Sequence, residues 1–350
     1  ILKATNGKNN MQFYNEGEFE EWKKTNDVKK WNIKYYKGLG TSTSKEFKEY
    51  FKEKKIVYFS CSGDDSVKAI DMVFNKKRSD DRKEWLGTYN RELYLDTSKK
   101  SVTYQEFINN DLIHFSKYDN DRSIPNIMDG LKISLRKILF AAFKKKLVSE
   151  IKVAQFSGYV SEHSGYHHGE ASLNGAIVGL AQNFVGSNNI NLFEPKGQFG
   201  TRLQGGKDSA SERYIFTQLS KLTRIIYQQL DDSILTYLND DGTPVEPIYY
   251  MPIIPMILVN GTKGIGTGFS TDIMCYNPTQ IINKLILMLN NDNKHKDIEI
   301  EPYYEGFKGT IEKIDSDGKR FIIKGKYEII NDNKIKITEL PIGTWTEDYK

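Results

Sequence analysis

The segment Gly205–Thr217 reads GGKDSASERYIFT. Its first half is small and polar, and its second half, continued as RYIFTQLSKLTRIIYQQL, has the apolar spacing of an amphipathic helix. Ser209 and Glu212 have the S-x-x-E spacing of a capping box, which predicts a helix beginning at Arg213 with Tyr214 in or beside its first turn. Free amides and the positive end of a helix dipole would favour a phosphate there, and a tyrosine hydroxyl could attack phosphorus. The local alternative, a tyrosine that only packs its ring, stays open.

Length and composition indicate a water-soluble globular protein of two or three domains, because 350 residues include 38% hydrophobic and 27% charged side chains. The net charge of +4 is small but unevenly distributed, so basic patches could meet a polyanion. Cys61 and Cys275 are too few for a disulfide framework, and we expect a reducing compartment. No apolar run approaches transmembrane length, so no membrane partner is expected. The start at Ile1 without a methionine and the polar end at Lys350 predict a piece of a longer polypeptide.

The N-terminal part predicts a strand, a glycine turn and a helix in that order. Trp31–Tyr36 alternates like a strand, Gly38 and Gly40 permit a tight turn, and Thr43 with Glu46 forms a second capping box for a helix through residue 51. Such a corner could face a phosphate. It matches neither G-x-G-x-x-G nor the Walker lysine pattern, so a nucleotide loop is not expected.

The stretch that follows predicts a further strand, Ile56–Phe59, and a helix opened by Asp64 and Asp65. A metal site at this carboxylate pair is the alternative to helix capping, which is far commoner. Residues 76–103 have the charged pattern of a helical linker. A solvated face is the default interpretation of Arg82 and Lys83 there.

A strongly basic block begins at Arg122 and reads RSIPNIMDGLKISLRKILFAAFKKK, with Asp129 as its only acid. Lys132 and Arg136 are four apart and are expected to share one helical face, which suits phosphate contacts. The alternative is a solvated amphipathic helix. A second helix is predicted over Gly169–Val185.

Three of the five histidines lie just before that second helix, at positions His163, His167 and His168. They lack cysteines and a third ligand at a familiar spacing, so zinc is discounted. Beside a phosphate they could exchange protons or hydrogen bonds. Two helices, a glycine-rich loop and a third helix from Arg213 predict a helix-turn-helix-like module with extra wings.

The glycine run GTKGIGTGF removes side chains on both sides of Ile265. An isoleucine exposed on a thin loop could wedge between base steps and bend a duplex. A core isoleucine between turns is the alternative. Beyond it, Asn277 predicts the start of a helix to about Leu289, and residues 307–340 predict an antiparallel meander with turns at Asp317-Gly318 and Asp332-Asn333.

Seven motifs together resemble one family: KYYKGLGTSTSKE, RSIPNIMDGLK, YHHGEASL, AQNFVGSNN, GQFGTRLQGGKDSASERYIFT, PIIPMILVNGTKGIGTGFST and ELPIGTWT. In this order and spacing the chain is similar to the DNA breakage-reunion core of type IIA DNA topoisomerases of the eukaryotic type. The KGLGTST and tyrosine segments share one chain, unlike in gyrase, which divides them between subunits.

The resemblance implies a role for each matching residue. Tyr214 would attack a DNA phosphodiester, leaving a 5′-phosphotyrosine and a free 3′-hydroxyl, and Arg213 would stabilise the charge that builds on the phosphorus oxygens. The implied catalytic set is Tyr214, Arg213, His168, Arg122, Lys132 and Arg136, with Asp129 nearby. The implied DNA-binding set is Arg82, Lys83, Lys132, Tyr166, Ser172, Ile265 and Trp345.

The resemblance also implies a mixed α/β (α+β) fold in four parts. Residues 1–75 would be the C-terminal part of a Toprim domain and 76–103 a linker. Residues 104–275 would be a helical winged-helix domain with the catalytic tyrosine, and 276–350 the start of an antiparallel β tower.

Two departures from the family pattern limit what this chain does alone. Ile133, Ser134 and Leu135 follow the lysine of DGLK where the family has a proline and a small residue. The metal-binding E-G-D-S and D-x-D-x-D acids are absent, so the Mg²⁺ ligands and the ATP site are expected upstream of this chain and none within it.

The implied partners are double-stranded DNA and a second copy in a homodimer. The implied location is the nucleus, or a viral or cytoplasmic factory for a viral protein. The rival interpretation is a non-catalytic winged-helix DNA-bending protein. A third possibility, a metal-nucleotide enzyme, predicts nucleotide binding, which we do not expect.

Overall fold

The computed structural model describes residues 2–36, 42–52, 54, 56–166, 168–240, 242–314 and 320–350. The chain divides into two compact units. Unit 1 is Ile1–Asn120 with Gly266–Phe269, and unit 2 is Asp121–Ile265 with Ser270–Lys350. The mixed α/β fold class is confirmed, while the boundaries predicted at residues 75, 103 and 275 stay predictions.

Unit 1 combines short strands with amphipathic helices. Its strands are β1 Leu2–Asn6, β2 Asn9–Phe13, β3 Asn32–Tyr35, β4 Tyr58–Ser60 and β5 Ser101–Thr103. Its helices are α1 Glu16–Thr25, α2 Ser44–Lys52, α3 Asp64–Phe74, α4 Ser79–Gly87, α5 Tyr104–Phe107 and α6 Ile113–Ser123, with a π-helical turn, Ile108–Leu112, between the last two. β2, β1 and β3 form an antiparallel sheet, and β4 pairs with β5 in parallel.

The capping box predicted at α2 is confirmed. The Glu46 carboxylate accepts a hydrogen bond from the Thr43 backbone N–H at 2.7 Å, and the Thr43 hydroxyl accepts one from the Glu46 N–H at 3.4 Å. The helix from Asp64 is also confirmed, with Asp65 in its first turn. Gly38 and Gly40 lie outside the described residues.

Unit 2 holds the largest core of the chain. Its helices are α7 Ile133–Lys145, α8 Val153–Ser164, α9 Glu170–Ala181, α10 Thr223–Ile226, α11 Met256–Val259, α12 Pro278–Leu289 and α13 Thr346–Tyr349. Its strands are β6 Ile151–Lys152, β7 Phe193–Lys196, β8 Phe216–Leu219, β9 Tyr237–Asp240, β10 Thr243–Pro247, β11 Thr262–Ile265, β12 Ser270–Ile273, β13 Thr310–Lys313, β14 Phe321–Lys324, β15 Lys326–Asn331 and β16 Lys334–Glu339.

The core of unit 2 lies among α7, α8, α9 and a three-stranded antiparallel sheet of order β6-β8-β7. Ile138, Phe156, Ile177 and Phe193 from these elements are fully buried. This packing fixes the position of β8, the strand that begins two residues after Tyr214.

The helix predicted from Arg213 is wrong, because the chain there forms strand β8. Ile215, Thr217 and Leu219 are buried and alternate with more exposed neighbours, the period of two that a half-buried strand requires. β8 pairs with both β6 and β7, and these non-local partners outweigh the local helical spacing. The capping box at Ser209 is therefore not formed.

Helix α9 ends at Ala181, four residues before the predicted end. The Asn188 side-chain amide donates to the carbonyl oxygens of Gly179 and Gln182, both at 2.8 Å, and so satisfies the last turn. The predicted start of α12 is confirmed, because the Asn277 side chain accepts from the Thr279 N–H at 2.8 Å.

The C-terminal strands form two antiparallel hairpins, β13–β14 and β15–β16, rather than one continuous meander. The predicted turn at Asp332-Asn333 joins β15 to β16. Asp317 and Gly318 lie outside the described residues. Within the part of the chain that the structure describes, no helix is both long and apolar enough to cross a membrane.

Candidate active site

Tyr214 lies in a turn just before β8, and its side chain is 74% exposed. Its backbone N–H donates to the Ser211 carbonyl at 2.9 Å, which closes the turn. Among the described residues the phenol hydroxyl has no hydrogen-bond partner. The hydroxyl is therefore accessible to an incoming electrophile.

The backbone on both sides of Tyr214 is held by the start of α8. The Ala154 N–H donates to the Glu212 carbonyl at 3.1 Å, and the Val153 N–H donates to the Ile215 carbonyl at 3.0 Å. Amides at the N-terminus of α8 thus bind the turn itself, which corrects the expectation of a helix N-terminus open to an anion. The result is a rigid backbone beneath an exposed side chain.

Arg213 is exposed beside the phenol. Its guanidinium carbon lies 6.0 Å from the centroid of the Tyr214 ring. A planar guanidinium can donate two parallel hydrogen bonds to phosphate oxygens. The two side chains are adjacent and both reach solvent, so one anion could contact both.

Arg136 lies inside the protein and not on a basic surface shared with Lys132, which corrects that expectation. Its Nε donates to Asp129 Oδ2 at 2.7 Å and its Nη2 to Asp129 Oδ1 at 3.0 Å, and Nη2 also donates to the Leu131 carbonyl at 2.9 Å. Asp129 is fully buried and accepts further hydrogen bonds from the N–H groups of Leu131 and Tyr250. The pair fixes the chain just before Lys132, the partly exposed N-cap of α7.

The remaining implied residues of unit 2 differ in exposure. Arg122, in the last turn of α6, and Ser172, in the first turn of α9, are exposed. His168 is partly buried, with its ring edge-on to Tyr166 at 5.5 Å between centroids. Tyr166 is only 7% exposed and packs in the core, so its ring is a support for His168 in this structure. His167 lies outside the described residues.

Arg82 and Lys83 belong to unit 1. Arg82 Nη1 donates to three carbonyl oxygens at the end of α3, those of Met72, Val73 and Asn75, at 3.1, 3.3 and 2.8 Å. Arg82 is therefore a cap for α3 here, a role that its spacing from α3 did not reveal. Lys83 is exposed and pairs with Asp80 at 2.7 Å.

Ile265 ends β11 and is 84% exposed, which excludes the core alternative. Its strand pairs antiparallel with β12. Beneath it, a Cβ on Gly264 would lie 2.3 Å from the Ser123 carbonyl oxygen, so only glycine permits this approach.

The glycine-rich loop before Tyr214 is closed by residues that the sequence did not single out. The Thr201 hydroxyl and N–H donate to the Asp208 carboxylate at 2.5 and 2.8 Å, and these bonds hold the pKa of Asp208 below its usual range. Gly200 has a φ of +95°, and a Cβ there would lie 2.5 Å from the Gly206 oxygen. The signal in the sequence was the T-x₆-D spacing across a glycine pair, which is too short a pattern to predict a contact.

Potential metal ligands do not converge in the part of the chain that the structure describes. Within those ranges no group of three or more His, Cys, Asp or Glu side chains is placed to hold a metal ion. The described donor set therefore does not fit Mg²⁺, and no residue of this chain is assigned to it.

The fold and this site define a class of protein that breaks and rejoins DNA. Residues 122–350 match the family model for the A-type polypeptide of DNA gyrase/topoisomerase IV, and residues 1–120 match the model described as the C-terminal associated domain of TOPRIM. The chain belongs to the type IIA DNA topoisomerases.

Within this family it is similar to DNA topoisomerase 2 of eukaryotes. It is 51% identical over 365 positions to DNA topoisomerase 2 of Drosophila melanogaster, covering 100% of this chain and 25% of that protein. It is 50% identical over 366 positions to DNA topoisomerase 2-alpha of Rattus norvegicus, covering 100% and 24%. The chain thus spans about a quarter of the length of these relatives.

A solved structure is similar over the whole chain. It is the DNA-binding, cleavage and re-ligation domain of Plasmodium falciparum topoisomerase II, with a TM-score of 0.79 and 48% identity, covering 100% of this chain and 47% of that one.

Proposed function

We propose that this chain breaks and rejoins DNA through Tyr214, as part of a type II DNA topoisomerase. The observation that carries the proposal is an exposed phenol on a backbone held by α8, with the Arg213 guanidinium beside it. Membership of the family and the similarity to the Plasmodium falciparum cleavage and re-ligation domain support the reaction class.

The chemical step exchanges one phosphodiester for another. The Tyr214 oxygen attacks a DNA phosphorus, the bond from phosphorus to the 3′-oxygen breaks, and a 5′-phosphotyrosine and a 3′-hydroxyl result. The phenol proton leaves to solvent or a base, and the 3′-oxygen gains a proton. Religation is the reverse, with the 3′-hydroxyl attacking and the phenol leaving. Because a free phenol has a pKa of about 10, its proton must be removed or the phenolate stabilised during attack.

Cationic side chains of unit 2 supply the charge that this step needs. Arg213 contacts the phosphorus oxygens as their charge builds, and Lys132 and the exposed Arg122 hold neighbouring phosphates. His168 donates or accepts a proton or hydrogen bond at the same strand. Arg136 acts through its buried pair with Asp129, which sets the position of Lys132. Its direct contact with phosphate remains a prediction.

DNA contacts beyond the scissile phosphate bend the duplex. Ile265 inserts between base pairs as an apolar wedge. Lys83, Ser172 and Trp345 contact the duplex, together with Arg82 and Tyr166 if these leave their present contacts.

In the full-length protein we propose a homodimer that relaxes and decatenates DNA. Two tyrosines make a double-strand break, ATP drives strand passage, and Mg²⁺ on residues outside this chain stabilises the leaving oxygen. The finer layout is the end of a Toprim domain, a winged-helix domain and the start of a tower. The nucleus is the proposed location for a cellular protein, and a cytoplasmic or viral factory for a viral one. The similarity to DNA topoisomerase 2 of eukaryotes supports the assignment to a type II enzyme.

The test is Tyr214→Phe in the full-length protein. Covalent protein–DNA adducts, trapped by denaturation, should disappear while the DNA dissociation constant stays within about threefold, because only the reacting oxygen is removed. Tyr249→Phe, at a tyrosine of similar polarity outside the site, is the matched control and should keep the adducts. Adducts that persist in Tyr214→Phe contradict the assignment. Bending without adducts in the unmodified protein would favour the non-catalytic DNA-bending alternative.

A further inference from the structure

A polar latch joins the glycine-rich loop to the last hairpin of unit 2. We define the latch as Arg202, Glu339 and the Leu340 carbonyl. Arg202 Nη1 is ion-paired with Glu339 Oε1, and Arg202 Nη2 donates to the Leu340 oxygen at 2.7 Å. The side chains are 24% and 5% exposed, so the pair is shielded from most of the solvent that weakens surface ion pairs.

Two further contacts continue the attachment along the same loop. The Glu347 N–H donates to the Leu203 carbonyl at 3.0 Å. The Trp345 indole lies against Gly205, where a Cβ would come 2.3 Å from the ring, so only glycine permits this contact. Residues 202, 203 and 205 are thus all held by the segment 339–347.

The other end of the latch is anchored in the hairpin. Glu339 is the last residue of β16, and its carboxylate also accepts from the Lys308 N–H at 3.3 Å. A Cβ on Gly325 would lie 2.2 Å from the Glu339 carbonyl oxygen, which shows how closely the chain before β15 packs on it. The carboxylate therefore cannot shift without moving the hairpin.

The loop that receives the latch leads directly to the nucleophile. The bonds from Thr201 to Asp208 make residues 201–208 a closed unit. Only five residues separate Asp208 from Tyr214, and the turn at the far end is pinned by α8. A displacement at Arg202 is thus carried by a closed loop toward Tyr214.

We propose that Arg202 and Glu339 are positioning residues for Tyr214: the latch lets the placement of the last hairpin set the approach of the phenol to phosphorus. The inference rests on the proposed function. Neither side chain touches the reacting atoms. Their effect should therefore appear in the rate of the chemical step and not in DNA affinity.

The experiment uses Arg202→Met, Glu339→Gln and the double variant in the full-length protein. Single-turnover adduct formation at saturating duplex DNA should slow about 10- to 100-fold, since small misplacements of a reacting group have effects of this size. The DNA dissociation constant should stay within about threefold. The double variant should be no slower than the slower single variant, because both remove one interaction. Arg202→Lys, which keeps the charge, should restore part of the rate.

The matched control is the ion pair of Arg224 and Asp232, with 29% and 30% exposed side chains and no contact to the described residues of the glycine-rich loop. Arg224→Met with Asp232→Asn should form adducts at the unmodified rate. Slowing equal to that of the latch variants, or additive single effects, would show a merely structural role and overturn the inference.

The failure of the inference is distinguishable from failure of the proposed function. If the unmodified protein forms adducts, Tyr214→Phe does not, and all latch variants react at the unmodified rate, only the inference fails. If Tyr214→Phe still forms adducts, the proposed function fails first. A variant that does not fold is replaced by Glu339→Gln alone, which keeps the side-chain shape and an acceptor for Lys308.

Discussion

At the scale of single residues, spacing identified chemistry better than it identified location. Lys132 and Arg136 are four apart, and the sequence correctly placed both at α7. Which side of the helix faces inward depends on Asp129, seven residues from Arg136, whose carboxylate binds the guanidinium with two bonds. A contact between a loop and a helix cannot be deduced from a helical period alone. The residue types nevertheless predicted an exposed Tyr214 with Arg213 beside it.

The buried pair makes a prediction on stability. Asp129→Asn removes the charge that neutralises Arg136 and should lower the free energy of unfolding by about 3–5 kcal/mol, because it leaves a buried cation without a partner. Urea unfolding monitored by circular dichroism measures the change. Asp80→Asn, in the exposed pair with Lys83, is the control and should leave stability unchanged. Equal stability of both variants would contradict the structural role of the buried pair.

At the scale of elements, local signals predicted what local contacts build. The caps at Thr43 and Asn277 were predicted correctly because each satisfies helix amides within three residues. Strand β8 was mistaken for a helix because its partners β6 and β7 are distant in sequence. Its alternation of buried and exposed residues overlaps the helical spacing over a short stretch, and only the sheet decides between them. The backbone that supports Tyr214 was therefore the part of the site that could not be predicted.

The cap of α2 predicts a pH dependence. The backbone hydrogen bond from Thr43, aided by a hydrogen bond from the Tyr36 hydroxyl at 2.5 Å, lowers the pKa of Glu46 from 4.5 to about 2. Because the folded-state pKa is the lower one, the stabilisation is fully present above pH 4.5 and is lost as the pH falls toward 2. Glu46→Gln should flatten the fall in stability across this window.

Urea midpoints between pH 7 and pH 3 measure this effect. Glu84→Gln, at an exposed carboxylate on α4, is the control and should keep the unmodified pH profile. An unchanged profile in Glu46→Gln would show that the cap does not contribute through its charge.

At the scale of the whole molecule, the composition permitted a polyanion without identifying it, and the motifs identified it through the family. The exposure of Ile265 was predicted from glycines alone, because their lack of side chains leaves the isoleucine unsupported. The latch between the glycine-rich loop and the last hairpin was not predictable, since Arg202 and Glu339 are 137 positions apart (339 − 202).

The wedge makes a prediction on DNA shape. Ile265→Ala in the full-length protein should reduce DNA bending, measured by energy transfer between dyes at the two ends of a short duplex, while the salt dependence of binding stays the same. Ile234→Ala, at an isoleucine that is 73% exposed elsewhere in unit 2, should bend DNA as the unmodified protein does. Unchanged bending in Ile265→Ala would exclude the wedge.

The central claim is that the Tyr214 oxygen forms the bond to DNA. The direct measurement is mass spectrometry of the peptide that remains attached to DNA after the full-length protein is denatured during cleavage and digested with nuclease and protease. The account predicts a nucleotide 5′-phosphate on Tyr214 in the peptide that contains Glu212 and Arg213. The same mass on any other residue, or no modified peptide despite strand breaks, would contradict it.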